Sequence, residues 1–199
     1  MSHHNTIFSQ ILKLVPRHEF NMLAKKHDGS RRSDAMNRWT QFVAMSTAQL
    51  VGRASLRDIE TTIASQKHLS YHLGSGSVKR TSLSRSNQRL SSTFFEDLFV
   101  KLYSRCQSSA PKHKFKFKQK LFSLDGSLID VSLKVFPQAN YNRMKAAFKL
   151  HVGLDHDGLI PAFVAVTRGK VGDQTQAKLM NFPKGSVLVF DRGYMDYKW

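Results

Sequence analysis

Two aspartates in this sequence are placed where a metal-dependent reaction on phosphate could occur. Asp125 ends the apolar run 121–124, and Asp191 ends the apolar run 186–190. An aspartate at the carboxyl end of a strand, followed by Gly or Arg-Gly, is exposed at the edge of a sheet. If the two strands are neighbours, both carboxylates reach one Mg²⁺, which takes one or two carboxylates plus waters and phosphate oxygens. Two such ions about 3.5–4 Å apart can clamp the attacking and leaving oxygens of an in-line displacement.

The same two residues also have a simpler interpretation. An isolated Asp-Gly more often caps a turn or the start of a helix, and it needs no metal to do so. Two of them, each at the end of an apolar run in one strand order, favour the metal site instead. The sequence therefore predicts that Asp125 and Asp191 are catalytic and bind the metal.

A second group of residues is suited to DNA. These residues lie at the start of a predicted long helix: Arg80, Arg85, Asn87, Gln88 and Arg89. Arg, Asn and Gln suit base edges, whereas Lys mainly meets phosphate. Helix 56–65, the 66–81 linker and this helix start could form a helix-turn-helix variant, although the linker is long for that motif. Base reading, phosphate contact and a solvated face all stay open for these residues.

Three more cations are candidate contacts to substrate DNA. Lys145 and Lys149 come just before and within the second predicted strand of the C-terminal part, and Arg192 follows Asp191. A solvated face is the alternative for the two lysines.

Helices are predicted before residue 110. Apolar residues recur at helical spacing over 7–15 and over 36–45, the second after a possible N-cap at Asp34. The segment 55–58 has the form of a capping box and opens a third helix. A stripe at every fourth position predicts one long helix over 84–107, with Cys106 buried on it.

Strands are predicted after residue 110. The segment 112–120 alternates Lys with Phe, which indicates an extended segment. Four apolar segments follow, with an Asp157-Gly158 hairpin turn between the second and the third and a helix between the third and the fourth. Asp173 lies near the start of that helix, where the helix dipole favours an acid. The four segments are 121–133, 146–155, 159–167 and 186–194. The predicted order is strand, strand, strand, helix, strand.

Charge and composition narrow the function classes. The formal net charge is +17, and residues 1–120 contribute +14 of it, with 21 Lys and Arg against 7 Asp and Glu. Such a surplus displaces counterions from a phosphate backbone, although ribosomal and membrane-surface proteins can be equally basic. The apolar runs are too short for a membrane span, and one cysteine cannot form an internal disulfide. We therefore expect a cytoplasmic, nucleoid-associated protein.

Three stretches resemble the insertion-sequence-four group of DDE transposases, whose second catalytic motif reads DRGY. LFSLDGSLIDVSL (121–133) is similar to the motif of the first catalytic Asp. FKLHVGLDHDGLIPAFVAVTRGKVGDQTQA (148–177) is similar to the two strands, Gly-Asp turn and helix that follow. VLVFDRGYMD (187–196) is similar to the motif of the second Asp. The part before residue 110 resembles the N-terminal helical domain of one branch of these enzymes.

The resemblance implies an α/β protein of two domains. Residues 1–110 are expected to be a helical DNA-binding domain, and residues 111–199 a truncated ribonuclease-H-like catalytic domain with a mixed sheet. In that fold the first strand lies between the second and the fourth, which would make Asp125 and Asp191 neighbours. The resemblance also implies Mg²⁺, for which Mn²⁺ can substitute, and double-stranded DNA as the partner, at insertion-sequence ends and at the target. Self-association on DNA is an open alternative.

The sequence departs from the family at the third acid. That acid is a Glu in a motif of the form Tyr-x2-Arg-x3-Glu-x6-Lys, and residues 121–199 contain no Glu. The three glutamates, Glu19, Glu60 and Glu96, belong to the helical part. We therefore expect a catalytically incomplete copy. The alternative is a DNA-binding remnant that occupies transposon ends without cutting, or that inhibits the full-length enzyme.

Overall fold

A computed structural model of the chain describes residues 6–28, 36–131, 140–142 and 145–196. The chain divides into two compact units, Met1–Leu102 and Tyr103–Trp199. In these ranges the helices are α1 (Ile7–Lys13), α2 (Arg17–Asp28), α3 (Arg38–Val51), α4 (Leu56–Ser65), α5 (Lys67–Ser70), α6 (Arg80–Arg89), α7 (Thr93–Ser109) and α8 (Asp173–Ala177). The strands are β1 (Leu121–Val131), β2 (Asn140–Asn142), β3 (Lys145–Asp155), β4 (Ile160–Arg168) and β5 (Val187–Phe190).

Two apolar clusters hold the helices of the first unit. The larger one joins α1, α2, α3 and α7 around Phe20, whose ring lies 4.9 Å from those of both Trp39 and Phe94. The smaller one joins α3, α4 and α6 through residues such as Ile59 and Leu83. The helix start predicted at 55–58 is present, since Ser55 is the N-cap of α4 and its Oγ atom accepts a hydrogen bond from the backbone N–H of Asp58 at 3.1 Å.

The sheet of the second unit is mixed and has β1 at its centre. β1 pairs antiparallel with β3 and parallel with β5. On its other edge β3 pairs antiparallel with β4 and, near its start, with β2, a short strand that the sequence pattern did not predict. The first long strand thus lies between the second and the last. This order and the preceding helices confirm the predicted α/β class with its ribonuclease-H-like sheet.

The predicted long helix over 84–107 is wrong, because the chain forms two helices there. α6 ends at Arg89, Leu90 is extended, and α7 begins at Thr93. Ser91 Oγ accepts a hydrogen bond from the N–H of Thr93 at 3.2 Å, so a serine starts a new helix instead of continuing the old one. Cys106, predicted to be buried, is exposed on α7.

Two other local predictions met a different outcome. Asp34 lies outside the described residues, and the N-cap of α3 is Asn37, whose side chain accepts from the N–H of Thr40. The segment 112–120 does not form a strand. His113 closes it into a loop, because its Nε2 atom lies 2.7 Å from the carbonyl oxygen of Gln119. The Lys-Phe alternation therefore marks a loop with packed rings, since His113 lies within 6 Å of two phenylalanine rings.

A buried ionic cluster ties the β3–β4 hairpin to the start of β1. Lys120 Nζ lies 2.7 Å from Asp155 Oδ2 and 2.9 Å from Asp157 Oδ2. The Asp155 side chain is fully buried, and its Oδ1 atom accepts from the N–H of Asp157 at 2.9 Å. The chain turns directly after it, at Gly158, whose φ is +75°. This cluster fixes the predicted hairpin and thereby the strand that crosses the candidate site.

Candidate active site

Parallel pairing of β1 with β5 brings the two predicted acids together. Leu124 is paired with Phe190, and the next residue along each strand is Asp125 and Asp191, respectively. β5 ends at Phe190, whereas β1 continues past Asp125 to Val131, so the prediction that Asp125 ends its strand is wrong. The two acids are nevertheless at neighbouring positions, where β5 ends beside β1. Both are exposed and therefore open to a ligand.

Each of these carboxylates also makes one local hydrogen bond. Asp125 Oδ1 accepts from the N–H of Gly126 at 2.8 Å. Asp191 Oδ1 accepts from the N–H of Gly193 at 2.9 Å and caps the 3-10 turn Arg192–Tyr194. These are the bonds of the simpler turn interpretation. In the described part of the chain neither carboxylate forms an ion pair with a Lys, Arg or His, so their charge is left for a ligand.

A third aspartate, Asp173, reaches the same place from α8. Its Oδ2 atom lies 3.0 Å from Lys149 Nζ on β3, and its side chain is 20% exposed. The sequence indicated only that Asp173 starts a helix, because nothing local shows that α8 packs its first turn against β1 and β3. The one available signal was its position shortly after the third long strand, β4.

The Asp173 carboxylate lies against the glycines that follow both acids. A Cβ atom placed on Gly126 would lie 2.7 Å from Asp173 Oδ1, closer than side chains approach. A Cβ atom placed on Gly193 would lie 3.5 Å from Asp173 Oδ2 and 3.1 Å from Asp191 Oδ1. Glycine at 126 therefore leaves the space that the Asp173 carboxylate occupies, whereas the distance from Gly193 to Asp173 is one of ordinary contact.

Tyr194 forms the floor of this site. Its side chain is 1% exposed, it belongs to an apolar cluster with Leu124 and Ala177, and its hydroxyl has no hydrogen-bond partner among the described residues. Burial, and then the negative charges of Asp173, Asp125 and Asp191, raise the pKa of Tyr194 to about 12. The hydroxyl thus stays protonated and is a buried hydrogen-bond donor.

His151 supports Asp173 from β3. It is fully buried, and its Nε2 atom is hydrogen-bonded to Thr167 Oγ1 at 2.8 Å. Its Nδ1 atom lies 3.4 Å from Asp173 Oδ1, close enough for an ion pair but without hydrogen-bond geometry. Burial lowers the pKa of His151 and outweighs the opposing effect of Asp173. We therefore interpret this contact as one with a neutral imidazole.

The lowered pKa of His151 predicts a pH-dependent stability. The unfolded chain binds this proton near pH 6.5, whereas the folded chain binds it only at lower pH. The free energy of unfolding is therefore highest above about pH 6.5 as far as His151 is concerned, and it decreases as pH falls below that value. Urea unfolding between pH 5 and 8 should show this loss, and His151→Gln should flatten it. His18→Gln, at an exposed position, is the matched control; an equal effect in both variants contradicts the assignment.

Two predicted DNA contacts meet in one groove of the first unit. Arg80 and Arg85 line a groove of about 690 Å³ together with Arg57 of α4, a residue that the sequence analysis did not single out. The remaining lining residues are mostly hydroxylic: Ser55, Leu56, Thr81 and Ser84. This groove is formed where the first turns of α4 and α6 meet above the smaller apolar cluster.

The other candidate contacts are spread out. Asn87 accepts a hydrogen bond from Gln41 at 2.7 Å, so its side-chain oxygen is used within the protein. Gln88 and Arg89 are exposed on α6, and Arg192 is exposed beside Asp191.

The two lysines of β3 also differ from each other. Lys149 pairs with Asp173 and is 15% exposed, so its amine is engaged inside the site and not on an open face. Lys145 lies in β3, but its side chain is outside the described set.

Two known protein families match parts of this chain. Residues 116–199 match the family described as transposase DDE domain. This part of the chain is therefore similar to a transposase DDE domain. Residues 3–75 match a domain of unknown function (DUF4372). No curated protein and no solved structure gives a significant match. Transposases of the DDE type are DNA-processing enzymes that act on DNA and generally use divalent metal ions.

The residues present fit a divalent ion. In the described ranges no three His, Cys, Asp or Glu side chains are grouped to hold a metal. Two carboxylates are nevertheless enough for Mg²⁺ when waters and phosphate oxygens complete its shell. The exposed, uncompensated charges of Asp125 and Asp191 provide that pair.

No described helix is long and apolar enough to cross a membrane.

Proposed function

We propose that this chain is a DNA transposase of the insertion-sequence-four group, with a helical DNA-binding part over 1–110 and a catalytic part over 111–199. Asp125 and Asp191 are its first two catalytic acids and bind Mg²⁺, or Mn²⁺ in its place. The observation that supports the proposal is the pairing of Leu124 with Phe190, since the residues that follow them are Asp125 and Asp191. The DRGY sequence at 191–194 supports the group.

The proposed reaction has two steps on DNA. Hydrolysis at the insertion-sequence end frees a 3′-hydroxyl, and that hydroxyl then attacks a phosphate of the target. A bound divalent ion would supply Lewis acidity and charge stabilisation to both steps. Asp125 and Asp191 have exposed carboxylates, and the exposed guanidinium of Arg192, next to Asp191, would contact a phosphate of the bound DNA. The site of action would be nucleoid DNA in the cytoplasm, with self-association on DNA when two ends are paired.

The groove of Arg57, Arg80 and Arg85 is our proposed phosphate contact at the insertion-sequence end. Three guanidinium groups line one groove, and their neighbours are short hydroxylic side chains that also donate to phosphate. The residue best suited to a base edge, Asn87, is instead bonded to Gln41. These contacts favour positioning on the backbone over base reading by α6.

Neutralising this groove should weaken DNA binding uniformly across sequences. Arg80→Ala and Arg85→Ala should each reduce affinity and lower the slope of log K against log salt by about one. Fluorescence anisotropy with insertion-end and scrambled duplexes at several salt concentrations measures both quantities. Lys101→Ala, an exposed cation on α7, is the control. Loss confined to the insertion-end duplex would instead indicate base reading.

A second candidate function is binding without cutting. Residues 1–120 carry +14, while residues 121–199 supply no glutamate for the third acid. We therefore expect the 199-residue polypeptide to bind duplex DNA and to act as an inhibitor of a complete enzyme. Its affinity should fall with salt at a slope of about −0.9 per phosphate neutralised.

A nicking assay separates the two candidates. Labelled insertion-end DNA is incubated with the 199-residue polypeptide and Mg²⁺ or Mn²⁺, and no nicks are expected. Metal-dependent nicking that disappears in Asp125→Asn would show that these residues suffice for cutting. If the polypeptide binds duplex DNA independently of salt, or does not bind it, the proposed DNA binding is wrong.

A further inference from the structure

We propose that Asp173 is a positioning residue that sets the separation of the Asp125 and Asp191 carboxylates and so tunes their affinity for a divalent ion. This inference rests on the proposed function, because it assumes that the two acids bind the ion. Nothing in the sequence pattern assigned Asp173 more than a place at the start of α8.

The first argument is where the Asp173 oxygens lie. Oδ1 faces Gly126, directly after the first acid, and Oδ2 faces Gly193, two residues after the second. Asp173 Oδ2 and Asp191 Oδ1 lie 3.5 and 3.1 Å from the same Cβ position at Gly193. One carboxylate therefore lies close to the glycine that follows each acid, near the point where β5 ends beside β1.

The second argument is that Asp173 is itself held in place. Its Oδ2 atom is paired with Lys149, whose side chain is only 15% exposed. Its Oδ1 atom faces the buried ring of His151, which is anchored to Thr167 at 2.8 Å. Both partners come from β3, the antiparallel neighbour of β1. Asp173 is thus held from β3, which lies on one side of β1, while β5 lies on the other.

The third argument concerns charge and an unused donor. The Lys149 ion pair neutralises Asp173, so this carboxylate is poorly suited to bind the ion directly. The Tyr194 hydroxyl is buried, has no partner among the described residues, and lies 3.3 Å from the Cβ position of Gly126. A free buried donor aimed at this point indicates that a further oxygen-bearing ligand belongs in the site. Asp173 would act on a bound metal ion only indirectly, by orienting the two acids that bind it.

The test is a Mn²⁺ titration of the 199-residue chain, followed by paramagnetic broadening of backbone amide signals in NMR. In the unsubstituted chain the Gly126 and Gly193 amides should broaden first, because each N–H donates to one of the two carboxylates. Asp173→Asn should raise the Mn²⁺ concentration for half-broadening by about 10- to 100-fold. Asp130→Asn removes one negative charge from β1, at an exposed position, and should leave the titration unchanged.

Gly126→Ala is a second and independent variant. Its Cβ atom would displace Asp173 Oδ1 without removing any charge, and a strand accepts alanine at this backbone position. It should weaken Mn²⁺ binding in the same direction as Asp173→Asn. If Asp173→Asn does not fold, Gly126→Ala decides, and an unchanged titration in that variant overturns the inference.

The outcomes separate this inference from the function on which it rests. If the unsubstituted chain shows no broadening at the two glycines, or if Asp125→Asn titrates like it, the proposed function fails. If Asp125→Asn abolishes broadening while Asp173→Asn titrates like the unsubstituted chain, only the positioning role of Asp173 fails.

Discussion

Asp125→Asn or Asp191→Asn should abolish DNA cleavage and leave insertion-end binding nearly intact. The substitution replaces one carboxylate oxygen with an amide, which removes charge and a ligand from the metal but little volume. A metal contributes several kcal/mol of transition-state stabilisation, and each 1.36 kcal/mol is a factor of ten. The cleavage rate should therefore fall by at least about 10³-fold.

The measurement requires a chain that supplies the third acid. We would extend residues 1–199 with a segment that carries the Tyr-x2-Arg-x3-Glu-x6-Lys motif, and then follow cleavage and strand transfer on labelled end DNA. Asp130→Asn on the same strand is the matched control and should retain activity. Strand transfer at the unsubstituted rate by either catalytic-site variant would refute the assignment of that acid, whereas loss of end binding would indicate a folding defect.

Lys120→Met should destabilise the second unit strongly. The change leaves the fully buried carboxylate of Asp155 without its cation, next to Asp157. Breaking a buried pair from one side costs about 3–5 kcal/mol, because an uncompensated charge stays in the interior. The hydrogen bond from Lys120 also lowers the pKa of Asp157, so part of this stability is present above pH 3.8 and is lost as pH falls through the lowered pKa.

Hydrogen exchange of the amides in β1 and β3 reports this effect within the sheet. Protection should fall by about 10²-fold or more in Lys120→Met, since 1.4 kcal/mol is a factor of ten. Lys118→Met, two residues earlier and exposed, should leave protection unchanged. Equal protection in the two variants would show that solvent, and not Lys120, compensates the charge of Asp155.

Local patterns predicted the elements better than the points where they end. Four apolar segments and the turn at Gly158 gave the long strands correctly, because a run of apolar residues followed by a turn residue is a local signal. The predicted long helix over 84–107 failed because its apolar stripe continues across Ser91, while the serine side chain starts a new helix. A hydrogen bond from a serine side chain to the nearby backbone can end a helix even where the apolar spacing continues.

The sequence by itself predicted the two acids as a pair and showed the transposase resemblance. Asp125 and Asp191 were recognisable because each follows an apolar run directly, although β1 continues past Asp125 to Val131. Only the tertiary structure brought Asp173 to the same place. Its carboxylate meets Gly126, Gly193 and Lys149 through three separate segments of the chain.

The sequence also contained no indication that Arg57 lines the groove or that Lys149 pairs with Asp173, and the reason is the same. Arg57 joins Arg80 and Arg85 only because α4 packs on α6, and Lys149 turns inward only because α8 returns to β3. Spacing along the chain carries no information about contacts that depend on how distant elements pack. The sequence therefore determined which residues can react, and the packing of helices on strands decided which residues hold them in place.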